Sequence, residues 1–190
     1  MNYCLCAMLL ISFFAGASFA QAPLPLGLIV TSVNIDQGKS GATAEITINN
    51  ALTIREISVQ NVGGRTLVKF PQSVSKHGKI FPQVRLTSRP AREAVYAAIE
   101  KKTSSSQWAP LTFEVAKITR YGKKSALKAF VVVIFGGGVE VECRVISGKS
   151  GLFVGWPARK EGNRWLNQVT IEDQKLKDSV ESAVIAAYEK

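Results

Sequence analysis

The sequence predicts an α+β protein built from two tandem copies of one unit, each a twisted antiparallel sheet followed by a helix. Three observations carry this. Ala42, Ala44, Ile46 and Ile48 alternate with Thr43, Glu45 and Thr47, the two-residue period of a half-buried strand. Arg65 to Pro71 aligns with Gly151 to Pro157 at a constant offset of 86, and both apolar runs stop at a proline. Ala94 to Lys101 matches Ala183 to Lys190 with six of eight positions identical.

Taken in order, residues 1–20 read as a processing segment, with an apolar core from Leu5 to Phe14 and the small-x-small signature Ser18-Phe19-Ala20. This predicts export to the periplasm or medium; a chain whose signal does not function would stay in the cytoplasm. Residues 21–27 are an extended leader. The first unit spans 28–102. In it Leu28 to Ile35 forms a strand, and Asn49-Asn50 reverses the chain, because asparagine tolerates the positive φ of tight hairpin turns. Leu52 to Val59 returns, and Thr66 to Phe70 is closed by Pro71. The basic segment Gln72 to Thr87 reads as a loop with one short strand near Val84. Pro90 suits the first turn of a helix running to Lys102.

Residues 103–110 are a polar, breaker-rich linker, and 111–190 repeat the order. Leu111 to Arg120 is a strand, and Ala126 to Phe135 is apolar enough for a central strand covered on both faces. Gly136-Gly137-Gly138 turns into Val139 to Ile146, and Trp165 to Ile171 adds one more strand. In the last helix Leu176, Val180, Ala183, Val184 and Ala187 share one apolar face.

The formal charge is +10, which suits phosphate backbones, anionic lipids or acidic polymers. It is concentrated in two stretches without acids, one from Arg65 to Arg92 and one from Lys117 to Lys128, whereas the last helix is net acidic. Catalytic constellations are absent. His77 is the only histidine and has no cysteine or acid cluster beside it, so neither a zinc site nor a nucleophile–base pair can be assembled. Gly148-Lys149-Ser150 lacks the earlier glycine and the following helix of a phosphate-binding loop. Beyond the signal, Cys143 is the sole thiol, alternating with Val139, Val141 and Val145 as a buried strand residue. The expected protein is therefore non-enzymatic, without cofactor, metal or small-molecule substrate.

What remains is basic residues near aromatics. Arg159, Lys160 and Arg164 lie between Trp156 and Trp165, and Lys69, Lys76 and Lys79 lie around Phe70 and Phe81. Lysine and arginine neutralise phosphates and exposed aromatics stack on bases; equally, both tryptophans could belong to the core of a solvated basic surface.

The order of strand, hairpin, Gly151-Leu152-Phe153-Val154-Gly155-Trp156-Pro157, the basic Arg159-Lys160 and a helix ending Ala187-Tyr188-Glu189 resembles the SpoVG family (stage V sporulation protein G, septation regulator). The resemblance covers nearly all of Phe113 to Lys190, and the first half looks like a diverged second copy. It implies a small α+β domain that forms homodimers and binds DNA and RNA in regulating sporulation and septation. Carried onto this chain, it makes Arg159, Lys160 and Arg164 the expected nucleic-acid contacts, with Lys76 and Lys79 loosely equivalent in the first copy. The duplication predicts an intrachain pseudo-dimer in place of the homodimer. Two readings stay open: a SpoVG-type nucleic-acid-binding protein, and an exported envelope protein that uses the same fold to hold an acidic polymer or protein.

Overall fold

The structure, a computed structural model, describes residues 27–38, 41–75, 77–107 and 109–190. The expected processing segment and Lys76 lie outside them. The first half runs β1 (Val30–Gly38), β2 (Gly41–Ile48), β3 (Leu52–Val62), β4 (Arg65–Lys69), β5 (Gln72–Val74), β6 (Ile80–Pro82), β7 (Val84–Leu86) and α1 (Arg89–Lys101). The second half runs β8 (Phe113–Arg120), β9 (Leu127–Phe135), β10 (Val139–Gly148), β11 (Gly151–Gly155), β12 (Ala158–Glu161), β13 (Arg164–Asn167), β14 (Val169–Ile171) and α2 (Gln174–Glu189). Element for element, the second half repeats the first.

The turns that join the second and third strands of each half follow from local chemistry. Asn49 and Asn50 have φ of 52° and 53°, and Gly136 and Gly137 have 54° and 65°; two successive positive values make the primed hairpin turn that matches strand twist. The two solutions differ. A Cβ at Gly136 would lie 2.6 Å from the Gly27 carbonyl oxygen, so only glycine fits there. Asn49, 1% exposed, instead uses its side chain as a bracket. Its Oδ1 accepts from the Ile29 N–H and its Nδ2 donates to the Ala109 carbonyl, both at 2.8 Å.

Two five-stranded sheets result. In one, β1, β2 and β3 form a meander, and β4 and β14 share the far edge of β3. In the other, β8, β9 and β10 form the meander, and β11 and β7 share the far edge of β10. Each sheet thus takes one strand from the opposite half. β7 pairs through Val84↔Val141, Arg85↔Glu140 and Leu86↔Val139, while β14 pairs through Val169↔Ile54, Thr170↔Thr53 and Ile171↔Leu52. The Arg85 and Glu140 side chains also meet at 2.8 Å, joining the halves on the surface.

Ser88 caps α1 by accepting from the Ala91 N–H, with Pro90 in the first turn, and Asp173 caps α2 by accepting from the Leu176 N–H. α1 packs against β1 and β7; α2 packs against β8, β10, β11 and β14. Val95, Ala98 and Ile99 of α1 and Val180 and Val184 of α2 join one continuous core with Ile46, Ile54, Val131, Val133, Phe135 and Val141. Each such side chain contributes roughly 1.5–3 kcal/mol by leaving water. Cys143 is fully buried there, and burial pushes its thiol up to about 12.

Three expectations about the strands need correction. The segment Gln72 to Thr87 holds the expected short strand near Val84 as β7, but the part before it is no plain loop, since β5 and β6 form there. Trp165 to Ile171 is not one strand, because it breaks at Gln168 into β13 and β14, which join different sheets. Strand β9 is central but covered on one face only. Ala129, Val131, Val133 and Phe135 are buried, while Phe130, Val132 and Ile134 are half-buried, so the shared core covers one side of the strand. No helix among the described residues is long and apolar enough to cross a membrane.

Candidate polyanion-binding hairpins

The basic, aromatic-flanked segments of the sequence fold into two small hairpins, β5–β6 and β12–β13, one per half. Each is closed at its base in the same way. The Gln83 N–H donates to the Pro71 carbonyl at 3.0 Å, and the Gln168 N–H to the Pro157 carbonyl at 2.9 Å. Each glutamine carbonyl then accepts from the other half, Gln83 from the Glu142 N–H and Gln168 from the Arg55 N–H, both at 2.8 Å. The repeated prolines therefore end one strand and offer the carbonyl on which the hairpin closes. Gln83 and Gln168 are buried, and their side chains leave no unsatisfied polar atom among the described residues.

Beyond their bases the hairpins differ. In β12–β13, the Arg159 guanidinium donates to the Glu56 carboxylate, and Gln168 Nε2 donates to Glu56 Oε2 at 2.7 Å. Arg159 also meets Glu161 at 3.3 Å. The Glu56 hydrogen bond is the main reason its pKa lies above the ordinary arginine value. Glu56 reaches this position because β3 carries an extra residue where its pairing with β2 shifts between Ala44 and Ile46, and Glu56 adopts a φ of 58°. Arg159 is thereby engaged by carboxylates of its own chain. Lys160 and Arg164 are exposed and form no ion pair among the described residues. Lys160 sits directly across from Trp165, whose side chain is 66% exposed. Trp156, by contrast, is half-buried, packs on Phe135 with ring centroids 6.3 Å apart, and donates to Glu181 at 2.8 Å. Of the two tryptophans, one supports the core and one faces solvent.

In β5–β6 no such clamp is formed among the described residues. Lys79 places its ammonium 5.2 Å from the centroid of Phe81, and Val74, Ile80 and Phe81 are exposed. Lys69 lies outside the hairpin, exposed on β4. The expected contacts are thus divided: Arg159, Lys160 and Arg164 share one hairpin, Lys79 belongs to the other, and Lys69 to neither. Sequence reasoning missed Glu56, Gln83 and Gln168. The glutamines had a signal in the sequence, since both precede a valine and both follow the repeated proline; Glu56 had none. The described residues contain no group of three or more His, Cys, Asp or Glu side chains able to hold a metal ion.

Residues 112–190 match the family model described as SpoVG. Comparison with curated proteins and with solved structures gives no match. The SpoVG match takes in hairpin β12–β13, the strand β14 that crosses to the first sheet, and α2; Lys69, Lys79 and the β5–β6 hairpin lie outside it.

Proposed function

We propose that this chain is a SpoVG-like, non-enzymatic nucleic-acid-binding protein whose two halves act as an intrachain pseudo-dimer. The observation that carries the binding is Trp165, 66% exposed on hairpin β12–β13, directly across from Lys160 and next in sequence to Arg164, and neither cation forms an ion pair among the described residues. A cation-flanked exposed aromatic can neutralise phosphate and stack on a base at once. Anisotropy of labelled DNA and RNA oligonucleotides tests this. The double variant Lys160→Glu, Arg164→Glu should bind about tenfold or more weakly, and its log–log salt slope should fall by about two. Unchanged affinity would sink the assignment. The pseudo-dimer reading is supported by the repeated element order and the reciprocal pairing of β7 and β14, and it expects a monomer in sedimentation at all concentrations.

A second reading, an exported envelope protein that holds an acidic polymer, is favoured by the apolar run Leu5 to Phe14 and the signature before Gln21. Both readings predict salt-sensitive binding. Cell fractionation with mass spectrometry of the mature N-terminus separates them: a chain starting at Gln21 outside the cytoplasm supports the second, and an intact Met1 in the cytosol the first.

A further inference from the structure

The β5–β6 hairpin overhangs the face of the second sheet that α2 leaves uncovered. Between hairpin and sheet lies a cleft of about 410 Å³, lined by Val74 and Phe81 from the hairpin, Leu127 and Phe130 from β9, and Glu142 and Arg144 from β10. Its existence follows from the asymmetry of the two halves. At the offset of 86 that relates Pro71 to Pro157, the counterpart of Arg159 is Ser73, which is too short to make the clamp. Strand β10 pairs with β9 without a shift from Val139 to Val145, so it has no extra residue to match the bulge that presents Glu56. The hairpin therefore stands clear of the sheet.

We infer that this cleft receives an unpaired base of a single-stranded nucleic acid, a site additional to β12–β13 that rests on the nucleic-acid reading above. Three features select that ligand. The cleft offers aromatic surfaces on both sides: Phe81 on the hairpin and Phe130 on the sheet, the latter held edge-on by Tyr121 with centroids 6.2 Å apart. Aromatic faces take a base whatever its identity. Arg144, the cross-strand neighbour of Phe130, and Glu142 two residues before it make no ion pair among the described residues. The guanidinium can meet a phosphate, and the carboxylate can accept from an exocyclic amino group. Finally, each wall draws on an acid-free basic stretch: β5–β6 falls within Arg65 to Arg92, and Thr119 and Leu127 on the sheet side lie in the run Lys117 to Lys128. The folded chain brings these two stretches, one from each half, to opposite sides of one slot. A duplex keeps its base faces stacked and cannot enter, so the slot distinguishes single strands from double.

The test uses the full chain with a fluorescein-labelled single-stranded 12-mer of DNA, its RNA equivalent, and the same DNA annealed to its complement. Phe81→Ala should weaken binding of both single strands by about tenfold and leave the duplex unaffected. Phe81→Tyr, which keeps the ring, should bind as the parent does. Val74→Glu changes a side chain 62% exposed at the rim, so it leaves folding intact and should also lower single-strand affinity about tenfold by repelling the strand. If Phe81→Ala and Val74→Glu bind single strands normally while Lys160→Glu, Arg164→Glu does not, the cleft assignment is overturned and the β12–β13 site stands. If the parent chain binds none of the three probes, both fall together.

Discussion

Hairpins β5–β6 and β12–β13 occupy the same place in the two halves and close on the same proline carbonyl, yet one is locked to its sheet and the other stands free. The difference comes down to two positions. Where the second half has Arg159 the first has Ser73, and the bulge that presents Glu56 on β3 has no match in β10. A repeated element order can thus keep its backbone and hydrogen-bond plan while one half commits its arginine to an internal carboxylate and the other leaves an apolar slot open. Basic charge along the sequence is then a poor guide to where charge is available. Arg159 is the arginine that the family resemblance singles out first, and it is the most fully satisfied cation on its hairpin.

Both hairpins lead into strands exchanged between the halves, and the largest effect should come from breaking that exchange. Val84, 2% exposed, lies in the first half but pairs within the second sheet. Val84→Asp puts an unpaired charge into the shared core and should cost at least about 3 kcal/mol. In urea, secondary structure by circular dichroism and the fluorescence of Trp156, which packs on Phe135 in the second sheet, should shift together. A Trp156 signal that ignored the substitution would contradict the exchange.

The next effect concerns Cys143, which lies on β10 where no bulge lifts a side chain out of the core. Its thiol is raised to about 12 by burial, so the neutral form is favoured in the folded state. The stability this confers is fully present below the unfolded thiol pKa, near 8.5–9, and is lost as pH rises towards 12. Compared with Cys143→Ala, the parent should lose up to about 1.4 kcal/mol per pH unit through that window. At neutral pH a thiol reagent should modify Cys143 only after unfolding. Prompt native-state labelling would place the residue elsewhere than in the core.

The smallest effect sharpens the comparison most directly. Glu56→Ala removes the clamp, leaves the Gln168 amide without its carboxylate, and should cost about 1–2 kcal/mol in chemical denaturation. It also releases Arg159, so oligonucleotide affinity should rise and the salt slope steepen by about one. A variant that bound less tightly than the parent would mean that Glu56 positions the arginine for binding instead of withholding it.

Much of this was legible in the sequence, and the boundary is physical. The strands with clear period-two alternation, β2 and β10, and the turns at Asn49-Asn50 and Gly136-Gly137 stand where local chemistry puts them. Both helices stand where Pro90 and the apolar face from Leu176 to Ala187 put them. What failed depends on partners far along the chain. The short strand near Val84 is where it was expected, but β5, β6 and Val169–Ile171 are three residues each, too short to show a period, and the last is split from β13 by pairing with β3 in the other half. The role of Arg159 was hidden for a related reason, since its acid partner is 103 residues away and is presented by a bulge that leaves no mark in the composition. The exposure of Trp165 and the burial of Trp156 likewise depend on which hairpin face meets a sheet.

The exchange of β7 and β14 also bears on synthesis. A ribosome that has delivered the first hundred residues has made β1 to β4 but not Val169–Ile171, so the edge of β3 at Leu52, Thr53 and Ile54 waits unpaired for a strand more than a hundred residues downstream. Until it arrives, that edge can accept the same strand from any finished neighbour. The fold therefore carries its own route to interlocked chains, and crowding of half-made copies on one messenger is the circumstance in which they would form.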